Sequence, residues 1–501
     1  MKSYTSATNY KTLNAMSSPL KILGFAILLS GSLVVSASPT PQQKLALADC
    51  IRIALEKHQS LNVSEASVAM AEAQYQQAMS AYWPRIAAEV NASRADQDRT
   101  FKMQGQFDLP PALGGAVASL AQGQGLPPAQ VQAIQQGLAQ PVPINMNIKL
   151  FDRDMVTSSL NLTYPIFTGM KREAIVSQAE KGVKIAEEGR RKTNLEIVRD
   201  VKKYYYAAQF AIQMEQLADD TLERFKALED LTERLYQHGS MRVKKTDYLR
   251  TKTTTAITRT MRSEAQYARE LAHEALGNAM GQEWDASYSL AEAVDASPLS
   301  GELKQLIDSA HTFNPDIQQL KLAVQISDDQ ITEARSGYYP MIGFQAEVHD
   351  IQTDYKSGLT NAVNRDGWTI GIGMQWNLFD GFQTTGKVNQ AKAQQRKLES
   401  QQVLLDQGVA LQVKQQFLSI KSASTQTKDS QEAVGYASEN RKLHVRAYQD
   451  ELVETKDVIE AQIVETFAQG THYRSRYALE MGLLSLEYLL GSNVGELNQT
   501  R

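Results

Sequence analysis

The chain contains an internal repeat, and a protein that repeats itself at this scale is built from two copies of one structural unit. The segment Leu162–Gly169 aligns with Met374–Gly381, an offset of 212 residues (381 − 169). Upstream, Ser80–Pro84 aligns with Ser336–Pro340 at an offset of 256 residues (340 − 84). The first copy therefore holds an insertion of 44 residues (256 − 212), which we place within residues 95–156.

Each copy contains two short segments in which apolar and polar side chains alternate, at about 84–94 and 158–167 in the first copy and 340–349 and 367–379 in the second. Alternation with period two places the apolar side chains on one face of a strand. Tilted membrane strands are about 10 residues long, with one face toward lipid and one toward a polar lumen. Aromatic residues stand near the segment ends, where strands meet the membrane interface: Tyr82, Trp83, Tyr164, Tyr338, Tyr339 and Trp376.

Four strands cannot close a barrel alone, because the smallest outer-membrane barrels have about eight. Two chains would supply eight strands, whose interior is filled by side chains. Three chains would supply twelve and leave room for a pore, so the barrel interpretation predicts a symmetric homotrimer in outer-membrane lipid. The alternative is a soluble sandwich, which would need many more strands in a chain of this size.

The rest of each copy has helical periodicity. In the first copy, Val198, Val201 and Tyr205 step by three and four, which predicts a coiled-coil seam. A helix of roughly 65 residues spans ~100 Å at 1.5 Å per residue, enough to cross a periplasm. The predicted helices are Leu45–Tyr82 and Leu303–Tyr338 before the strands, long arms at 171–235 and 384–447, and return helices at 246–281 and 456–491.

The N-terminus predicts export. Lysines precede an apolar run from Ile22 to Val35, and small residues follow it, as in a secretory signal peptide. Cys50 is the only cysteine, so no intrachain disulfide is expected, and we prefer a buried helix-face cysteine to a lipidation site there. We divide the chain into a signal peptide (1–37), a first repeat (38–282), a connecting segment (283–301), a second repeat (302–491) and a C-terminal tail (492–501).

The sequence offers no chemistry for catalysis. Its net charge of −4 gives no reason to expect nucleic acid. The seven histidines form no metal-binding motif, and there is no phosphate loop or nucleophile elbow. We therefore expect no metal, no cofactor and no enzymatic activity, and energy for transport must come from a partner.

Asp457 and Glu460 are the one functional pair that the residues themselves suggest. Their i, i+3 spacing near a helix start places them on one helix face. Three copies around an axis would bring six carboxylates together, which favours cation binding and selectivity in a pore. The alternative is that both are acids favoured at a helix start by the helix dipole.

The doubled order of helix, aromatic-proline, strand, loop, strand, Phe-x-Gly, long helix, turn and helix resembles the TolC outer-membrane efflux family. The resemblance covers Leu45 to Gly491 and is sharpest at Arg446–Gln462, which is similar to the family's tip motif. Asn314–Ile317 also fits the family's helix-start pattern. The resemblance implies an α+β membrane protein: a trimeric 12-stranded β-barrel, four strands per chain, continuous with a periplasmic α-helical barrel of coiled coils in a Gram-negative cell.

By the same resemblance, the chain is the outer-membrane exit channel of a tripartite efflux or type I secretion system. Its partners are a periplasmic membrane-fusion adaptor and an inner-membrane transporter of the RND, ABC or MFS type. Acids at positions 457 and 460 form the ring that narrows the closed periplasmic mouth. The adaptor grips two tips, at Tyr236, Gly239 and Asp247 and at Tyr448, Asp450 and Glu451.

Two residues of these tips depart from the family pattern. Glu451 stands where the family usually has glycine, and Asp247 falls two residues later than the second half predicts. Two other classes of protein stay open, a periplasmic coiled-coil scaffold and a surface adhesin without channel activity. The insertion at 95–156 is expected on the extracellular side, as a loose loop, a lid over the pore or a surface-recognition element.

Overall fold

The structure, a computed structural model, describes residues 44–283, 288–291, 299, 301–353 and 365–491. The predicted signal peptide, the C-terminal tail and most of the connecting segment lie outside these residues. Among the described residues, no helix is both long enough and apolar enough to cross a membrane.

The first half begins with a two-residue strand and two helices that lead into a strand. In chain order its elements are β1 (Lys44–Leu45), α1 (Leu47–Lys57), α2 (Gln59–Met79), β2 (Arg85–Arg94), β3 (Arg99–Phe107), α3 (Pro111–Gly123), α4 (Pro128–Leu138), β4 (Val142–Phe151), β5 (Asp154–Phe167), α5 (Lys171–Gln237) and α6 (Lys245–Ala279).

The second half has the same order without the insertion. Its elements are β6 (Ser289–Leu290), α7 (Leu303–Phe313), α8 (Pro315–Arg335), β7 (Met341–Thr353), β8 (Asp366–Gln375), α9 (Gln383–Gln449) and α10 (Thr455–Leu490). Both α5 and α9 are 67 residues long. Asn314, before α8, caps this helix by accepting from the backbone N–H of Asp316 at 3.0 Å.

Four antiparallel strands form one sheet in the order β2-β5-β7-β8. Its register collects the apolar side chains into rows that cross all four strands. One row is Ala88, Leu160, Val348 and Trp368, and the next is Ile86, Leu162, Ala346 and Ile370. Most of their large members are exposed, Trp368 by 73% and Ile86 by 61%, so one face of the sheet is apolar and uncovered.

Each long helix starts at a sharp corner after the sheet. Two consecutive left-handed residues make the corner, Gly169 and Met170 before α5 and Gly381 and Phe382 before α9. At Gly169 a Cβ atom would lie 2.9 Å from the carbonyl oxygen of Ser336, so only glycine fits there. The corner directs α5 and α9 away from the strands.

Within the described residues, the helices pack through three apolar clusters. The first holds Cys50 against α5 and α6, and the second joins α7, α9 and α10 around Val413 and Leu486. The third lies near the α5–α6 and α9–α10 turns, around Phe225 and Val458. Such burial on one stripe of each helix is what stabilises long helices.

The insertion is ordered, so the loose-loop expectation is wrong. β3 and β4 pair as an antiparallel ribbon, and α3 and α4 connect these two strands along the chain. β5 already begins at Asp154, which the prediction assigned to the insertion. At the other edge β8 ends at Gln375, so Trp376 lies just beyond the strand rather than inside it.

Candidate functional site

The turns that join the long helices differ in length. The first runs over 238–244 and the second over 450–454, so the first is longer by two residues. Asp247 and Asp457 consequently hold equivalent places, the third residue of α6 and of α10. Each carboxylate accepts a hydrogen bond at 3.0 Å from the backbone N–H three residues earlier. The extra turn length explains the displacement of Asp247 in the sequence.

Glu451 keeps the turn geometry although it is not glycine. Its φ is 56°, in the same left-handed region as Gly239 of the first turn, at 75°. A non-glycine residue there costs about 1–2 kcal/mol. Two contacts from the first turn hold it: the Arg242 guanidinium donates to its backbone carbonyl, and the Ser240 hydroxyl lies 3.4 Å from its carboxylate. The two turns are therefore tied together.

Tyr448 lies inside the tip rather than on its surface. Its side chain is buried among the third apolar cluster. Its hydroxyl lies 3.1 Å from the Thr232 hydroxyl of α5 and 2.9 Å from that of Thr455. Tyr448 is therefore a packing residue of the tip, and its side chain is not accessible to a partner protein. Of the other predicted tip residues, Tyr236 is exposed and stacks on Tyr248 with ring centroids 6.1 Å apart, and Asp450 caps the end of α9.

The surface between the two turns is a groove of about 490 Å³. Its most exposed apolar side chains are Met241, at 98%, and Leu452, at 69%. Both lie in turns without apolar periodicity, so sequence patterns gave no signal for them. An exposed methionine beside an exposed leucine is an adaptable apolar contact surface.

Asp457 and Glu460 lie on one side of the first turns of α10. Asp457 is half-buried because its carboxylate caps the helix, whereas Glu460 is exposed. Beyond Glu460 the same side continues as exposed apolar residues, Val464 at 46% and Phe467 at 74%. The opposite side, with Val458, faces the other helices. One chain thus presents an acidic pair followed by an apolar stripe.

A buried carboxylate that the sequence did not suggest lies further along α10. Glu465 is 1% exposed. It forms ion pairs with Arg224 of α5, at 2.9 Å, and with Arg441 of α9. One side chain therefore joins three helices. The sequence signal for this ion pair was the position of Glu465 on the apolar stripe of α10. An acid buried there without a partner would be strongly unfavourable.

Aromatic side chains gather where the strands meet the helices. Trp83 and Tyr339 are 72% and 53% exposed, and the Trp376 Nε1–H donates to the Tyr338 carbonyl at 3.1 Å. Phe379 and Phe382, which were not among the predicted interface aromatics, are also exposed and pack edge to face. Of the remaining predicted aromatics, Tyr164 is half-buried, and Tyr82 is half-buried under the Arg172 guanidinium, 4.2 Å from its ring centroid.

Cys50 is fully buried in the first apolar cluster. Burial, together with the nearby Asp49 carboxylate, raises the pKa of its thiol to about 11. The reactive thiolate is therefore scarce at neutral pH.

A family model described as "Outer membrane efflux protein" matches residues 50–282 and 306–492. The alkaline protease secretion protein AprF of Pseudomonas aeruginosa is 26% identical over 248 residues, 48% of this chain and 50% of AprF. The chain thus spans about half the length of this curated relative.

Two solved structures resemble the chain over most of its length. CusC, whose structures are described in terms of folding and transmembrane channel formation, has 17% identity and a TM-score of 0.71, over 93% of this chain and 99% of CusC. VceC, an outer membrane protein of Vibrio cholerae, has 17% identity and a TM-score of 0.68, over 89% and 96%. At these identities the likeness shows a shared fold.

Proposed function

The chain belongs to the outer membrane efflux protein family, and on that premise we propose that it is the passive exit channel of a tripartite efflux or type I secretion system. Membership confirms the resemblance seen in the sequence. It places the protein in the outer membrane of a Gram-negative cell, extending into the periplasm, in a family of channels. A periplasmic adaptor and an inner-membrane transporter would supply substrate and energy.

The observation that carries this proposal is the sheet with an apolar, uncovered face. Rows of exposed side chains such as Trp368 and Ile370 cross all four strands. In water such an apolar face would favour aggregation, whereas a strand that faces lipid requires it. A soluble scaffold has no use for it, which disfavours that alternative.

The edges of the same sheet support a homotrimer. Within the described residues β2 pairs only with β5, and β8 pairs only with β7. Lipid cannot hydrogen-bond the backbone N–H and C=O groups at an open sheet edge, so these groups must pair with another strand. Joining β2 of one copy to β8 of the next in three copies gives a closed 12-stranded barrel. The duplicated element order then reflects a duplicated unit within each chain.

The long helices support the periplasmic part of the proposal. The 67 residues of α5 and of α9 each correspond to a helix of ~100 Å. The corners at which α5 and α9 begin lie beside the exposed aromatic residues, which we place at the membrane interface. The α5–α6 and α9–α10 turns would then reach toward the inner membrane. We propose the groove with Met241 and Leu452 as the adaptor contact.

We propose Asp457 and Glu460 as the carboxylates of the periplasmic gate. The Asp457→Asn, Glu460→Gln double variant removes both charges while an amide oxygen can still accept the capping hydrogen bond. We expect higher closed-state conductance in planar bilayers and weaker block by divalent cations, because the ring loses its negative charge.

The matched control is Asp247→Asn, which alters the equivalent cap of α6 without touching the acidic pair. Its single-channel currents should equal those of the parent. Unchanged currents in the double variant would remove the gate assignment.

The channel function itself is tested by purifying the full chain from membranes in detergent and adding it to planar bilayers. We expect a heat-resistant trimer with discrete, long-lived conductance steps, and sensitisation of cells to exported compounds on gene deletion. A water-soluble protein without conductance would contradict the proposal and favour the scaffold. A surface protein whose loss changes adhesion alone would favour the adhesin.

A further inference from the structure

The insertion between β2 and β5 forms an amphipathic ribbon with an uncovered apolar face. Opposite each other in the β3–β4 register lie Phe101 and Ile148, Met103 and Met146, and Phe107 and Val142. Phe101 and Phe107 are 51% and 53% exposed, and Met146 is 44% exposed. Polar pairs intervene on the other face, namely Lys102 with Asn147 and Gln104 with Asn145. One face of the ribbon is therefore apolar, and no other part of the described chain covers it.

The ribbon ends in a helical pair without charge. Between Asp108 and Lys149 the sequence has no Asp, Glu, Lys, Arg or His, in a chain that is 22% charged. The two helices pack on each other, and Ala118 of α3 and Val131 of α4 are buried. The outer side of α3 carries Leu113, 51% exposed, and Leu120, 70% exposed and two turns further on.

The exposed surface of α4 differs, because it carries glutamines such as Gln132 and Gln135. The helical pair therefore exposes large apolar side chains on α3 and polar side chains on α4.

The position of the ribbon identifies what can cover it. It continues the β2–β5 ladder, since the backbone N–H of Ala95 donates to the carbonyl of Arg153 at 2.7 Å between the two ladders. β2 is an edge strand of the main sheet. In the proposed trimer this edge borders the next copy, so every ribbon rises beside a subunit boundary at the end of the strands opposite the helices.

We propose that the insertion is a self-association element, in which the apolar sides of α3 from the copies of one trimer pack together over the outer end of the channel. The proposal rests on the trimeric channel proposed above. Identical copies meet on an axis at like residues, where like charges would repel, so the absence of charge over 109–148 suits contact between copies. The contact would narrow the exit against large molecules from outside.

A lipid surface fits the exposed side of α3 less well than a second copy does. Peripheral elements that bind anionic lipid use lysine or arginine on their polar face. Here that face is glutamine, and the helical pair has no cation. A second copy of α3 fits both the exposed leucines and the missing charge.

Cysteine cross-linking tests the contact directly. In the full chain with the Cys50→Ser background, Leu120→Cys is treated in whole cells with a short bismaleimide. We expect a covalent dimer on denaturing gels. Gln135→Cys, on the polar side of α4, is the matched control and should stay monomeric.

Trimer formation is measured on the same samples by the heat-resistant band before denaturation. Trimers without a Leu120→Cys cross-link would overturn the self-association proposal while leaving the channel proposal intact. Absence of trimers would instead refute the channel proposal.

Charge insertion tests the consequence for permeation. The Leu113→Lys, Leu120→Lys variant places like charges at the contact, and Gln132→Lys, Gln135→Lys adds the same charge on the polar side. We expect the first variant alone to raise channel conductance and the uptake of a large external antibiotic severalfold. Equal uptake by both variants would overturn the closing role.

Discussion

Glu451 shows how a single residue can keep a turn that its type disfavours. Its φ of 56° is left-handed, and the matching residue of the other turn is Gly239. Arg242 and Ser240 contact the Glu451 carbonyl and carboxylate, respectively, from the other turn. These contacts offset part of the local cost and fasten one turn to the other. Glu451 is thus unfavourable for the backbone of its own turn, but its contacts stabilise the packing of the two turns against each other.

Replacing Glu451 by glycine should relieve the left-handed strain by about 1 kcal/mol. We expect amide hydrogen exchange in the 450–454 turn to slow roughly fivefold, since 1 kcal/mol is about that factor. Gly239→Ala is the matched variant and should accelerate exchange in the first turn, because its φ is 75° and alanine is strained there. Faster exchange in Glu451→Gly would mean that the lost Ser240 contact outweighs the strain.

At the scale of elements, ion pairs join the helices, and Glu465 is the most buried charged side chain among the described residues. It connects α10 with Arg224 of α5 and Arg441 of α9. Removing one partner of a buried ion pair leaves uncompensated charge, which costs more than the pair contributes. The Glu465 side chain therefore fixes how three helices sit together near the tips.

Glu465→Gln should lower the stability of the helical region by about 3–5 kcal/mol, because two guanidinium groups lose their carboxylate. The measurement is the temperature at which helical circular dichroism is lost in detergent. Glu432→Gln, an exposed carboxylate on α9, is the control and should be within about 0.5 kcal/mol of the parent. Equal effects of the two substitutions would show that the ion pairs contribute little.

At the scale of the whole molecule, one chain leaves apolar helix surface uncovered. On α9, Leu404, Leu411 and Leu418 recur at seven-residue spacing and are 67%, 68% and 54% exposed. Such a stripe is the seam of a coiled coil without its partner. In the proposed trimer the partner is a helix of the next copy, as β8 is the partner of the open edge of β2.

Leu411→Glu should therefore weaken the trimer, since it places a charge in this seam. We expect the heat-resistant trimer band to disappear at a temperature at least 10 °C lower than in the parent, with the monomer still helical. Gln412→Glu adds the same charge one residue away, outside the stripe, and should leave the band unchanged. A trimer insensitive to Leu411→Glu would move the subunit contact to another face.

The local periodicities were visible in the sequence because they depend on neighbouring residues alone. Alternation marked segments that are β2, β5, β7 and β8, and steps of three and four marked the long helices. The same local signals placed Asp457 at a helix start, where it caps α10. The family followed from the order of these elements.

The tertiary structure decided everything that depends on distant parts of the chain. Strand pairing, the burial of Tyr448 and the ion pairs of Glu465 join residues hundreds of positions apart, for which local periodicity has no signal. The left-handed Glu451 persists because the other turn holds it. The insertion is a ribbon because β3 and β4 pair across an intervening helical pair. Sequence determines which segments can form, and only the meeting of distant segments determines what each one faces.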